Sequence, residues 1–68
     1  MFLYSTVRNL AEQNGKTIYR IEHDLSLSNG TISKWNESMP RADTLQKVAD
    51  YLGVTSAQIL ERAKKEDN

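Results

Sequence analysis

Apolar residues recur at helical spacing almost from the first position, at Leu3, Val7, Leu10 and Ala11, which share one face of a helix. The pattern predicts a first amphipathic helix from Phe2 or Leu3 to Asn14, closed by Asn14-Gly15. Asn-Gly also opens hairpins, but its flanks here repeat with a helical rather than an alternating period, so it reads as a left-handed glycine cap. Thr17 is placed to cap a second helix that carries Ile18, Ile21 and Leu25 and runs to about Leu25. The pattern breaks at Ser26 and resumes at Leu27. A third helix then carries Ile32 and Trp35, with the Ser28 hydroxyl as its cap. Pro40 sets the path of the next loop through its fixed φ. Leu45, Val48, Ala49 and Leu52 mark a fourth helix, with Asp43 favourable to the dipole near its start and Gly53 as its stop. Thr55 followed by Gln58 has capping-box spacing and opens a fifth helix, with Ile59, Leu60 and Ala63 apolar. The tail ERAKKEDN is polar and reads as fraying from about residue 62.

The second and third helices meet at a tight turn within TIYRIEHDLSLSNGTISKWNE, Thr17 to Glu37. Ile32 and Trp35 mark the buried face of the third, so the 3.6-residue period leaves Asn29, Gly30, Ser33 and Lys34 on the opposite side. An anchored helix whose outer face carries small polar side chains and a lysine can enter the DNA major groove, where base edges offer hydrogen-bond acceptors. The spacing therefore points to a helix-turn-helix. Gly30 has two readings, a close approach of backbone to phosphate or base, or tolerance of glycine near a helix end.

Sixty-eight residues make one domain, 1–68, near the lower limit for a core without disulfide or metal. With no cysteine, disulfides, thiolate zinc sites and cysteine nucleophiles are excluded. His23 has no second nitrogen or sulfur ligand in the chain and reads as an exposed polar residue, so neither metal nor cofactor is expected. No acid–base pair, no phosphate-cradling glycine loop and too little chain to enclose a substrate argue against an enzyme. MFLYSTVRN is neither a leader nor a membrane span, which makes the cytoplasm the expected location. Nine basic and nine acidic residues give a formal net charge of zero. From Met1 to Arg41 five basic residues face four acidic ones, so the half expected at DNA is barely positive and only modest affinity is expected.

Taken together and in this order, IYRIEHDLSLSNGTISKW, the short loop to Pro40 and TLQKVADYLGVTSAQIL resemble the Cro/C1-type helix-turn-helix proteins over roughly Leu3 to Leu60. The form with SNGTISKW is most similar to small regulators of phages and their bacterial hosts. The resemblance implies an all-α, compact five-helix lambda-repressor-like domain whose helix-turn-helix is formed by helices 2 and 3. It implies a sequence-specific DNA-binding transcriptional repressor that places helix 3 in the major groove of a double-stranded operator. A homodimer, at least on DNA, would span half-sites about one helical turn apart. Dimerisation through apolar parts of the fifth helix, around Ile59 and Leu60, is the expectation. Asn29, Gly30, Ser33 and Lys34 match the base-contacting face, with Lys34 able to donate to guanine and Asn29 to pair with adenine. Thr17, Tyr19, Thr31, Asn36, Ser38 and Arg41 match the regions that straddle the groove and contact phosphate.

Three positions depart from the family pattern. Ile18 stands where glutamine is usual, removing one phosphate contact. Ser26 occupies a turn position that is usually glycine and would carry strain in a left-handed backbone. Glu22 replaces a small alanine and must bend outward or find a partner in Arg20, Lys34 or a backbone donor. Zero net charge, Ile18 and Glu22 favour an alternative, an antirepressor or co-regulator that binds a phage or prophage repressor protein.

Overall fold

Each stretch of helically spaced apolar residues folds as an α-helix except the one that carries Trp35. The computed structural model describes residues 2–66, which form α1 (Leu3–Gln13), α2 (Ile18–Asp24), a 3₁₀ turn (Ile32–Lys34), α3 (Ala42–Leu52) and α4 (Ser56–Glu66). The expected five α-helices are thus four. The reason lies in composition: between Ser28 and Ser38 only Lys34 and Glu37 are strong helix formers. The hydroxyls there also compete for backbone. Thr31 Oγ donates to the Ser28 carbonyl at 2.7 Å and Ser33 Oγ to the Gly30 carbonyl at 3.0 Å, capturing groups that an α-helix would use.

Local caps fix the other boundaries. Gly15 takes φ 69° after α1, and Gly53 takes φ 75° after α3, where its N–H and that of Val54 close the last turn. The Thr17 hydroxyl accepts the Arg20 N–H at 3.1 Å. Thr55 and Gln58 form the reciprocal capping box, Thr55 N–H to Gln58 Oε1 at 2.9 Å and Gln58 N–H to Thr55 Oγ at 3.0 Å. The α2–turn junction passes through Ser26 at φ 57°, the left-handed backbone anticipated for that position.

One core binds these elements. Leu3, Val7, Leu10 and Ala11 from α1 meet Ile21, Ile32, Trp35, Leu45, Val48, Ala49, Leu52, Ile59 and Ala63. α1 packs along α4 and against the 3₁₀ turn, α2 against that turn, and α3 against α4. Two expectations change here. Ile59 has 0% exposure and Leu60 packs half-buried on the same core, so the apolar residues proposed for dimerisation are largely spent within one chain. Helix α4 also continues past residue 62, because Ala63 is fully buried and holds its last turns down; Asp67 and Asn68 lie outside the described residues.

Candidate nucleic-acid interface

The segment from Ser28 to Ser38 is held from three sides and leaves one side open. Its inner side is Ile32 and Trp35, both buried. Its far end is Asn36, whose Oδ1 accepts the Tyr4 N–H at 2.9 Å and the Ser5 N–H at 3.4 Å, while Nδ2 donates to Ser5 Oγ at 3.3 Å. Those are the orphan donors of α1, whose own cap residue Phe2 offers no side-chain acceptor. Asn36 therefore caps α1 from 31 and 32 residues away.

The near end is Glu22. Its residue is 4% exposed, and its carboxylate accepts the Gly30 N–H at 3.3 Å and the Ile32 N–H at 2.9 Å. Of the ways open to this acid, the structure takes the backbone donors. They stand in for a side-chain cap: the 3₁₀ turn starts at Ile32 with Thr31 at its cap position and no side-chain cap bond there, so Ser28, the expected cap, lies too early in the chain to serve. Gly30 acquires a structural reason at the same time. It stands before the helical residues, at φ 85°, in a turn closed by the Thr31 N–H on the Ser28 carbonyl at 3.1 Å. A Cβ there would meet Ser33 Oγ at an ordinary 3.7 Å, so backbone conformation rather than space requires glycine.

On the open side lie Asn29, Ser33 and Lys34, all exposed, with Gly30 half-buried among them. Lys34 has no ion pair among the described residues, and its ammonium is free to reach an acceptor. Ser33 has committed its proton to the Gly30 carbonyl and offers lone pairs, which suit a base donor such as the amino group of adenine or cytosine. Thr31 has likewise spent its proton on Ser28, leaving no hydroxyl donor for a phosphate. Thr17, Tyr19, Ser38 and Arg41 are exposed; Tyr19 stacks on His23 with ring centroids 6.3 Å apart, and Arg41 lies 3.4 Å from Asp43.

A charged cluster ties α2 to α3 beside this surface. Asp24 accepts the Tyr51 hydroxyl at 2.5 Å and the Arg20 Nε–H at 3.1 Å, with His23 Nδ1 at 3.6 Å. The Tyr51 hydrogen bond, aided by Arg20, holds the Asp24 carboxyl below its ordinary range. Asp24 in turn raises the Tyr51 phenol and the Arg20 guanidinium. Lys16 Nζ sits 5.9 Å above the Tyr51 ring. Arg20 and Asp24 stand one helical turn apart, whereas Tyr51 reaches Asp24 across 27 residues, a contact that no sequence period marks.

No helix among the described residues is long and apolar enough to cross a membrane, and no group of three or more His, Cys, Asp or Glu among them could hold a metal ion. The model of the Cro/C1-type HTH DNA-binding domain matches residues 6–65 of the chain. No curated protein and no solved structure matches it.

Proposed function

The chain belongs to the Cro/C1-type helix-turn-helix DNA-binding family, and from that premise we propose that it is a sequence-specific transcriptional repressor that reads an operator with the segment Asn29–Lys34. The observation that carries this reading is the open side of that segment. Asn29 and Lys34 stand exposed on a backbone pinned at both ends and along its inner side. Preorganised donors of this kind suit the major groove: Lys34 donates to guanine O6 or N7, Asn29 pairs with adenine, and Ser33 accepts from an amino group. Gly30 lets the backbone come close. Thr17, Tyr19, Ser38 and Arg41 are the flanking phosphate contacts. Asn36 is left out of that set because its carboxamide is committed to α1, and Thr31 because its proton is committed to Ser28. Binding as a homodimer to a partly palindromic site in the cytoplasm completes the proposal.

The zero net charge sets the expected energetics. With few cations to neutralise phosphates, the total salt dependence should be shallow, about 0.9 log units of affinity per tenfold rise in salt for each phosphate that a Lys or Arg neutralises. The test is selection of duplexes from a randomised pool, followed by mobility shift at two salt concentrations. A discrete complex that survives competitor DNA is the expected result. Lys34→Ala should then cost about 1–3 kcal/mol of discrimination at one base pair and leave the other positions unchanged. An unaltered base preference removes Lys34 from the reading surface. Absence of any complex at low salt redirects the assignment to a repressor protein as partner.

A further inference from the structure

Burying a carboxylate is unfavourable unless donors satisfy it, and a small apolar side chain at position 22 would let α2 meet the following turn without that cost. What Glu22 adds is geometry. Its two oxygens span from α2 to two separate N–H groups, those of Gly30 and Ile32, at the start of the exposed segment. That segment has only three residues of 3₁₀ helix and a left-handed glycine before them, so it has little intrinsic stiffness to hold its own orientation. Asn29 immediately precedes one anchored N–H, and Lys34 follows the other by two residues.

We infer that Glu22 is a positioning residue for base readout: by fixing the Gly30 and Ile32 N–H groups it sets the angle at which Asn29 and Lys34 meet the groove. The inference rests on the DNA-reading function proposed above. It separates specific from non-specific binding, because contacts to phosphate tolerate a small rotation of the segment and paired contacts to base edges do not. Its negative charge acts in the opposite sense, weakening attraction to any duplex.

Two variants test it. Glu22→Gln keeps the shape but leaves one oxygen for two N–H groups and turns an amino group toward one of them. Glu22→Asp keeps the charge but is one methylene short. The wild-type chain first selects a preferred duplex. Affinities of all three chains for that duplex and for a scrambled one are then measured by fluorescence anisotropy, at a temperature where circular dichroism shows each folded. The preferred-to-scrambled ratio is expected to fall about tenfold in both variants, the equivalent of a lost hydrogen bond to a charged group. Binding to the scrambled duplex should stay unchanged for Glu22→Asp and stay unchanged or tighten for Glu22→Gln. Without DNA, the Gly30 and Ile32 amides of both variants should exchange faster while core amides of α1 and α4 keep wild-type protection. An unchanged ratio in the folded variants, a parallel loss on both duplexes, or failure of both variants to fold overturns the inference and leaves Glu22 a residue of the fold alone. A wild-type chain that selects no duplex instead overturns the DNA-reading function on which it rests.

Discussion

Replacing Asn36 by alanine removes the cap of a helix that begins more than thirty residues earlier in the chain. The Asn36 carboxamide supplies the acceptor for the Tyr4 and Ser5 N–H groups and a donor to Ser5 Oγ, and Phe2 contributes no side-chain bond in its stead. The two N–H groups are those that a serine or aspartate cap ordinarily satisfies, so the loss should cost about 1 kcal/mol. The 3.4 Å bond to Ser5 and the solvent access of the site keep it from the upper end of the measured range. For a domain of this size that corresponds to a fall in Tm of roughly 4–8 °C. Asn36→Asp keeps the acceptor and places a negative charge at the helix N-terminus, which offsets the lost donor to Ser5 Oγ; its Tm should stay within a few degrees of wild type.

Thermal melts by circular dichroism measure both variants, and DNA binding well below either Tm supplies the functional control. The structural role predicts an Asn36→Ala chain that melts early and binds DNA as the wild type does when folded. An Asn36→Ala chain with wild-type Tm and DNA binding weakened alike on every sequence would refute the reasoning. It would return Asn36 to the phosphate contacts that its place in the sequence suggested.

Ser26→Gly should stabilise the protein by roughly 0.5–1 kcal/mol, read as a higher urea midpoint, because φ 57° strains a side-chain-bearing residue more than glycine loses in unfolded-state entropy. The Asp24–Tyr51 bond gives stability two pH limits. Asp24 is lowered by folding, so its contribution is present above pH ~4 and fades as pH falls through its folded value, whereas Tyr51 is raised, so its contribution is present below pH ~10 and fades as pH rises through its folded value. Tyr51→Phe should abolish the alkaline limb and shrink the acid one in urea midpoints measured across pH; two unchanged limbs would place the titration elsewhere.

Outside the stretch from Ser28 to Ser38, instructions contained within three or four residues were settled by the sequence alone. Gly15 and Gly53 end helices by their own φ, Thr17 and the Thr55–Gln58 pair cap by reaching one turn ahead, and the apolar stripes of α1, α3 and α4 name the core. The outward placement of Asn29, Ser33 and Lys34 was legible for the same reason, since Ile32 and Trp35 point inward at either helical period. That coincidence also hid the form of the segment. A spacing of three satisfies both the α-helix and the 3₁₀ helix, and the clue was the run of poor helix formers from Ser28 to Ser33.

Tertiary structure decided what the polar residues do. Glu22 meets N–H groups eight and ten residues away, Tyr51 meets Asp24 across 27, and Asn36 meets α1 across more than thirty. None of these pairs follows a period, because a hydrogen bond needs two groups at one point in space and constrains nothing about their separation in sequence. The fate of Ile59 and Leu60 was decided in the same way, by α1 lying along α4 and closing over an apolar face that the sequence alone left available to a second chain. Burial of apolar area leaves a periodic trace on each helix that takes part, whereas the choice of partner across the core is made only when the helices pack.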